Sequence, residues 1–160
     1  MARNIPNFSR PAITMLECLV YLALALLVAQ GVFTFAVQYI RTAYALRQTV
    51  LAECAVHNAL VIFKREADLF PAQLARYREL TSTRIAYDLA QGGWCAWYFD
   101  EHRFMRAEHH GAHRVDYSVV LEPADGHFTI HTLHDRLVSL TLTLSHNGKT
   151  LEQLFIVHGT

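Results

Sequence analysis

The sequence predicts an α+β protein, in which one long N-terminal helix is followed by an antiparallel β-sheet domain. Residues 18–40 contain no charged side chain, and no proline interrupts the chain from there to residue 70. After that point, short apolar segments alternate with turns that contain glycine or proline, which is typical of strands joined by hairpins. The chain therefore divides into a polar N-terminus, an apolar segment that ends at residue 40, and two further segments, residues 41–70 and 71–160.

The segment at residues 13–40 is long enough to cross a membrane, because about twenty apolar residues span a bilayer as a helix. Glu17 stands near the start of this segment. An acid inside a bilayer costs roughly 2.5–3.5 kcal/mol on insertion scales, so we expect Glu17 to have a function and a cationic partner. Arg3 and Arg10 precede it without any acid, and this charge pattern favours a cytoplasmic N-terminus.

Two simpler interpretations of the apolar segment remain open. The segment is an uncleaved signal anchor if Glu17 merely lies at the membrane interface. It is an ordinary secretory signal peptide if the chain is cut after a small-x-small site, for which Ala23-Leu24-Ala25 has the right residues. A signal peptide has a shorter apolar region of about 7–15 residues, whereas this site lies inside the apolar run.

The residues around Glu17 resemble the class III signal of type IV pilins and type II secretion pseudopilins. A short basic leader ends in the small residue Ala12, and Ile13 is followed by threonine, two apolar residues, Glu17 and the long apolar run. The resemblance implies that a prepilin peptidase cuts between Ala12 and Ile13, which removes residues 1–12 as a leader, and that the new amino terminus of Ile13 is N-methylated. It also implies that Glu17 pairs with this amine in a neighbouring subunit. The family prefers Gly where Ala12 stands and Phe where Ile13 stands.

The same resemblance implies a structural subunit of a filament rather than an enzyme. Major pilins usually have a proline within the first helix, and none occurs here between Pro11 and Pro71, which favours a minor pseudopilin of the type II secretion system. The implied partners are prepilin peptidase, other minor and major pseudopilins, the inner-membrane assembly platform and membrane lipid. The implied location is the inner membrane, with one span, a cytoplasmic N-terminus and a periplasmic C-terminal domain, and the pseudopilus after assembly.

Other filament systems carry the same signal, so a minor pilin of a type IV pilus or of a competence system for DNA uptake is an alternative. A second, looser resemblance is to J-type minor pseudopilins and their competence-system counterparts. It rests on a helix ending in Lys64-Arg65-Glu66-Ala67-Asp68, on Ile85-x-Tyr87, on an aromatic strand at residues 94–99 and on Arg103-x-x-Arg106. This resemblance implies a place in the tip complex that initiates filament assembly.

Residues 41–70 are predicted to continue the helix and to pack one face against the C-terminal domain. Their apolar residues recur at spacings of three, four or seven, which keeps them on one face of a helix. This stripe consists of Ala45, Ala52, Val56, Leu60, Phe63, Ala67 and Phe70. We expect the helix to end before Pro71 and a short helical turn to follow within residues 72–80.

The C-terminal domain is predicted to be an antiparallel sheet. Strands are expected at residues 83–90, 94–99, 103–108, 115–122 and 128–133. Gly92-Gly93 is expected to turn the chain, and so is Pro123-Ala124-Asp125-Gly126, in which proline fixes φ and glycine accepts a positive φ.

The last third of the chain gives the clearest strand pattern. Val138, Leu140, Leu142 and Leu144 alternate with polar residues, which predicts a strand with one buried face. Asn147-Gly148 then predicts a tight hairpin. The chain is expected to return through Leu151, Leu154, Ile156 and Val157.

The three cysteines, Cys18, Cys54 and Cys95, do not form an even set. Cys18 lies in the apolar segment, where a thiol behaves as a small apolar group. Cys54 and Cys95 could form a disulfide in an oxidising periplasm, but we expect two buried or semi-buried free thiols.

Histidine clusters raise the question of a metal site. His109, His110 and His113 lie close together beside a glycine, and His127 and His131 could share a strand face, with His134 near its end. Imidazoles can bind Zn²⁺, so a signal-anchored periplasmic metal-dependent enzyme is the alternative from a different functional class. No acid is placed as an evident general base, and a solvated loop and a polar strand face explain these residues. We therefore predict no metal, and we interpret Asp100-Glu101 as a turn rather than half of a catalytic carboxylate pair.

The charge balance argues against a polyanion as ligand. Lys and Arg together number 14, as do Asp and Glu, and loss of the leader with Arg3 and Arg10 would leave the mature chain slightly acidic. We therefore expect no direct nucleic-acid ligand. The sequence has no nucleophile elbow, phosphate-binding glycine loop or Cys/His catalytic signature, so we predict no catalytic residue and no cofactor.

Overall fold

The computed structural model describes residues 15–110 and 114–157, and the chain divides into two compact units, Met1–Leu46 and Arg47–Thr160. One helix, α1 (Met15–Ala67), begins in the first unit and ends in the second. Within the described residues the second unit also has a short 3₁₀ turn, Leu74–Arg76, and eight strands. The fold class is therefore α+β, as the sequence predicts.

The part of α1 within the first unit is apolar and exposed. It is long and apolar enough to span a membrane, and none of its most apolar stretch is buried by the chain itself. Two of its hydroxyls are satisfied within the helix: Thr34 Oγ1 donates to Gln30 O at 2.8 Å, and Thr42 Oγ1 donates to Gln38 O at 2.9 Å. Such bonds to the preceding turn remove polar donors from an apolar helix surface.

The part of α1 within the second unit buries the predicted stripe. Ala52, Val56, Leu60, Phe63 and Ala67 are all buried, and so is Phe70 just beyond the helix. The prediction is wrong for Ala45, which is exposed, because it precedes the unit in which the sheets lie.

The helix ends at Ala67, three residues earlier than predicted. Leu69 N donates to Glu66 O at 2.8 Å and Phe70 N donates to Ala67 O at 3.2 Å, which tightens the last turn into 3₁₀ geometry. This turn places Phe70 back on the core, with its ring 5.6 Å from that of Phe63.

The strands form two antiparallel sheets, each with its strands in chain order. The first sheet consists of β1 (Tyr77–Leu80), β2 (Arg84–Asp88), β3 (Trp94–Asp100), β4 (Arg103–His109) and β5 (Val115–Leu121). The second consists of β6 (Asp125–Leu133), β7 (Arg136–His146) and β8 (Lys149–Ile156). The predicted strands are present, and the sequence pattern missed β1, where only a helical turn was expected.

Phe63 is the centre of the core that joins α1 to both sheets. Its ring lies 5.0 Å from that of Trp97, 6.1 Å from that of Phe104, 5.9 Å from that of Phe128 and 5.1 Å from that of Phe155. Aromatic side chains bury large areas and pack in such tilted and edge-on arrangements. A single helical residue therefore contacts strands of both sheets.

Several predicted turns are confirmed. Gly92 and Gly93 have φ of 84° and 102°, and Asn147 and Gly148 have φ of 48° and 77°, as a two-residue hairpin turn with positive φ at both positions requires. The interpretation of Gly126 is wrong, because it lies within β6 without a positive φ. A Cβ there would clash with Thr143 O and lie 2.8 Å from the Phe99 ring, so close packing explains this glycine.

The alternation of β7 is confirmed for Leu140, Leu142 and Leu144, which are buried. It is wrong for Val138, which is 42% exposed while Leu137 is 1% exposed. The register with β6 shifts between His131 and Thr132, and such a bulge reverses which residues point to the core.

The return strand β8 follows the predicted hairpin, but three of its apolar residues are exposed, namely Leu151, Leu154 and Ile156. Phe155, between the last two, is buried. Val157 after the strand is also buried.

Candidate functional site

Glu17 lies in the first described turn of α1. Within the described residues it has no ion-pair partner, and the next charged residue along the helix is Arg41. Its neighbours along the helix, Leu16 and Leu19, are 71% and 57% exposed. The carboxylate therefore lies on a segment whose large apolar side chains are exposed in the part of the chain that the structure describes.

The other two predicted site residues of this segment, Ala12 and Ile13, lie outside the described residues. Cleavage between them, methylation of Ile13 and pairing of its amine with Glu17 stay predictions. The described structure brings no cation to Glu17.

The exposed apolar surface of the first unit is continuous along the helix. Its large side chains are Met15, Leu16, Leu19, Val20, Tyr21, Leu22, Leu24, Leu26, Leu27, Val28, Val32, Phe33, Phe35, Tyr39, Ile40, Tyr44 and Leu46. A contiguous apolar surface of this extent is the mark of a membrane or protein contact rather than of a surface that stays in water.

The histidines of the first cluster have separate contacts. His109 ends β4 and stacks on Trp94 with ring centres 5.9 Å apart, whereas His110 Nε2 lies 2.6 Å from Glu108 Oε1. His113 lies outside the described residues, so the cluster as predicted is not tested.

The histidines of the second sheet are placed as the strand pattern predicts. His127 and His131 are both exposed and two strand periods apart on β6, and His134 lies in the turn before β7. Asp100 is the last residue of β3 and pairs with Arg103. Glu101 and His102, with φ of 43° and 62°, form the turn to β4, so the turn interpretation is correct for Glu101 and wrong for Asp100. In residues 15–110 and 114–157, no group of three or more His, Cys, Asp or Glu side chains is arranged to hold a metal ion.

All three cysteines are free thiols, as expected. Cys95 is buried, as expected. The expectation of a buried or semi-buried thiol is wrong for Cys54, which is exposed, as is Cys18, because Cys54 lies off the buried face of α1. Burial raises the pKa of the Cys95 thiol to about 11, with the nearby Glu66 carboxylate adding to the effect and the hydrogen bond with Tyr87 opposing it. Cys95 is therefore protonated and unreactive at neutral pH.

A cluster of charged side chains joins the end of α1 to the first sheet. Arg106 of β4 lies between two carboxylates, with Nε 2.7 Å from Glu66 Oε1 and Nη2 2.5 Å from Glu108 Oε2. The other Glu66 oxygen accepts from Trp97 Nε1 at 3.1 Å and from Cys95 Sγ at 3.6 Å. All three charged side chains are less than one quarter exposed, so the cluster is shielded from water.

The charge of Arg106 is secured by its partners. Burial by itself lowers the pKa of Arg106, but the hydrogen bond and charge of Glu66, followed by the hydrogen bond to Glu108, outweigh it and raise that pKa above its ordinary value. A charge in such a place is stable only when it is paired. The pairing holds the last turn of α1 against β4.

These three charged residues form one wall of an open cavity of about 490 Å³. The cavity lies between the end of α1, the β2–β3 hairpin and the end of β4. Its other walls are formed by Asp68, Leu69, Arg76, Tyr87, Asp88, Leu89, Ala90, Gln91, Gly92, Cys95 and His110. Its volume is within the range of cavities that hold ligands or side chains, about 300–1,000 Å³.

Sequence reasoning did not find this cluster, although Glu66 and Arg106 both occur in the segments compared with J-type pseudopilins. One local signal was available. Glu66 lies between the buried residues Phe63 and Ala67, and a carboxylate at the border of a buried stripe needs a partner.

Comparison with known proteins gives no further guidance: no protein-family model, no curated protein and no solved structure matches this chain.

Proposed function

We propose that this protein is a minor pseudopilin, a structural subunit of the tip of a type II secretion pseudopilus. The observation that carries the proposal is the placement of Glu17 near the start of a helix whose first part is exposed and apolar and whose last part is covered by two sheets. In this proposal the first part is stored in the inner membrane and then packs against other pilin-like subunits.

The exposed surface of the first unit supports a change of surroundings from lipid to protein. Each large apolar side chain that leaves water gains roughly 1.5–3 kcal/mol, so this segment needs a cover at every stage. Lipid supplies the cover before assembly, and neighbouring pilin-like helices supply it afterwards. The second unit already has its own core and stays folded in both states.

Glu17 supplies specificity in this proposal. Opposite charges attract far more strongly in a medium of low dielectric constant than in water, so an unpaired carboxylate in this segment favours a neighbour that presents a cation. The amine of Ile13, freed by prepilin peptidase and then methylated, is that cation. The protein's own chemistry is limited to being cut and methylated, and the assembly platform and the other pseudopilins act on the mature chain.

The test compares Glu17→Val with Gln30→Val in the full chain, in cells that contain the secretion system. Both changes remove one polar side chain from the same apolar segment, but only the first removes a charge. Two quantities are measured for each: the fraction that remains in membranes after alkaline extraction, and the amount of other pseudopilins that co-purifies in mild detergent.

We expect both variants to remain in the membrane, and Glu17→Val to lose at least 90% of its co-purifying partners while Gln30→Val keeps them. Normal co-purification of Glu17→Val would contradict the charge pairing. Equal losses in both variants would also contradict it, because the effect would then come from general polarity.

A further inference from the structure

The cavity at the end of α1 has an unequal charge distribution. Four carboxylates line it, those of Glu66, Asp68, Asp88 and Glu108, against the two guanidinium groups of Arg76 and Arg106. Arg78, outside the lining, pairs with Asp88 at 2.5 Å. One negative charge therefore remains uncompensated while His110 is neutral.

The excess negative charge lies on the shielded wall. Glu66 and Glu108 share the single guanidinium of Arg106, and their side chains are only 22% and 19% exposed. Two carboxylates against one cation in a partly desolvated place attract a second cation, because solvent screening is weak there.

The same wall still has hydrogen-bond acceptors to offer. A carboxylate has about four lone-pair sites. Glu66 receives bonds or ion pairs from Arg106, Trp97 and Cys95, and Glu108 from Arg106 and His110. Roughly three acceptor sites therefore remain, and the His110 side chain that pairs with Glu108 is itself 64% exposed.

Part of the cavity lining is apolar. It includes Leu69, which is 75% exposed, Leu89 and Ala90. An arginine side chain combines an aliphatic stem with a planar group that donates several hydrogen bonds to carboxylates, and it matches both kinds of lining residue.

We propose that the cavity binds an arginine side chain presented by a partner protein. The guanidinium lies against Glu66 and Glu108, and the aliphatic stem lies along Leu69 and Leu89. Asp68, which has no ion-pair partner among the described residues, faces the entering charge at the rim. This site is separate from Glu17 and does not depend on the proposed assembly function.

Two tryptophans provide a test with an internal control. Trp97 Nε1 donates to Glu66 and so reports on the cavity wall, whereas Trp94 packs with Ala86, Ala96 and Ala107 in a separate cluster. These are the two tryptophans of the chain. The full chain, labelled with ¹⁵N-tryptophan in detergent micelles, therefore gives two indole N–H signals in an NMR spectrum.

The probe is N-acetyl-arginine amide, and N-acetyl-citrulline amide is the neutral control of nearly equal shape. We expect the arginine probe to shift the Trp97 signal in a saturable manner, to shift it more than the Trp94 signal, whose ring stacks on His109 beside the cavity, and to bind less well at higher salt. A Trp97 signal that does not move, or that moves equally with the citrulline probe, would overturn the proposal. An equal shift with calcium chloride at the same concentration would also overturn it, since the site would then bind cations in general.

The variant Glu108→Gln removes the excess charge and is expected to raise the half-saturating probe concentration at least tenfold. The matched variant Glu152→Gln removes one charge from β8, outside the cavity lining. It is expected to change the half-saturating probe concentration less than twofold. Asp68→Asn alters an exposed residue, preserves the fold and is expected to weaken binding about threefold. Unchanged binding in both Glu108→Gln and Asp68→Asn would overturn the assignment.

Discussion

The two parts of α1 show how differently one helix can satisfy its apolar residues. In the first unit, Phe33 and Phe35 are 70% and 74% exposed, whereas in the second unit Phe63 is 0% exposed and contacts both sheets. The chain supplies a cover for the second part and none for the first within the described residues. The first part therefore presents an apolar surface of the kind that lipid or another chain covers.

The carboxylates of the two parts, Glu17 and Glu66, also differ in whether the chain supplies their partners. Glu66 has Arg106, Trp97 and Cys95 as partners, whereas Glu17 has no ion-pair partner among the described residues. The first pairing stabilises the fold of one chain, and the second, in our proposal, stabilises an assembly. Mutations in the two parts should accordingly affect different measurements.

The largest difference is expected between Phe63→Ala and Phe33→Ala. Removal of a large buried aromatic side chain costs about 3–5 kcal/mol, so Phe63→Ala should lower the free energy of unfolding of the C-terminal domain by that amount. Phe33→Ala should change it by less than about 0.5 kcal/mol. Chemical denaturation of the full chain in detergent micelles, followed by tryptophan fluorescence, measures the free energy of unfolding of both variants. Equal decreases in the two variants would contradict the difference between the two parts of α1.

A smaller difference is expected between Glu66→Ala and Glu17→Ala. A hydrogen bond to a charged group contributes about 1.5–3 kcal/mol, and Glu66→Ala also leaves the Trp97 indole without its acceptor. We expect a loss in this range for Glu66→Ala and no change in domain stability for Glu17→Ala. The same denaturation experiment checks both, and a destabilised domain in Glu17→Ala would contradict the separation of the two roles.

The smallest difference concerns backbone conformation. Glu101 has φ of 43°, a region that glycine adopts without steric cost, so Glu101→Gly should raise domain stability by about 0.5–1 kcal/mol. Gly31 lies in an open helical position of the first unit. Gly31→Ala should raise the helix propensity of that segment and leave the stability of the C-terminal domain unchanged. Thermal unfolding followed by near-ultraviolet circular dichroism would detect both, and a domain destabilised by Glu101→Gly would show that this turn is not strained.

Local patterns predicted those features that depend on neighbours in sequence. The buried face of α1 follows from spacings of three and four, and the Asn147-Gly148 hairpin follows from the need for positive φ. The first strand, β1 (Tyr77–Leu80), was missed because it is short and contains Arg78 and Glu79, so its conformation depends on pairing with β2. Val138 was misplaced because it is the extra residue of a bulge in β7, and nothing in the sequence marks that bulge.

Of the candidate functional groups, Glu17 could be predicted from the sequence and the charged cluster could not. Glu17 stands out in the sequence because it is an acid at the start of a long apolar run. The cluster of Glu66, Arg106 and Glu108 does not stand out in the sequence, because its members are brought together only when α1 packs on β4. Contacts between residues far apart in sequence need the fold before they can be found.

The most direct test of the central claim is the intact mass and the amino-terminal residue of the protein from cells with and without prepilin peptidase. The account predicts a mature chain that begins with N-methylated Ile13 and that forms only when the peptidase is present. A chain that keeps Met1 in both cells, or one that is cut beyond Ala25, would contradict it.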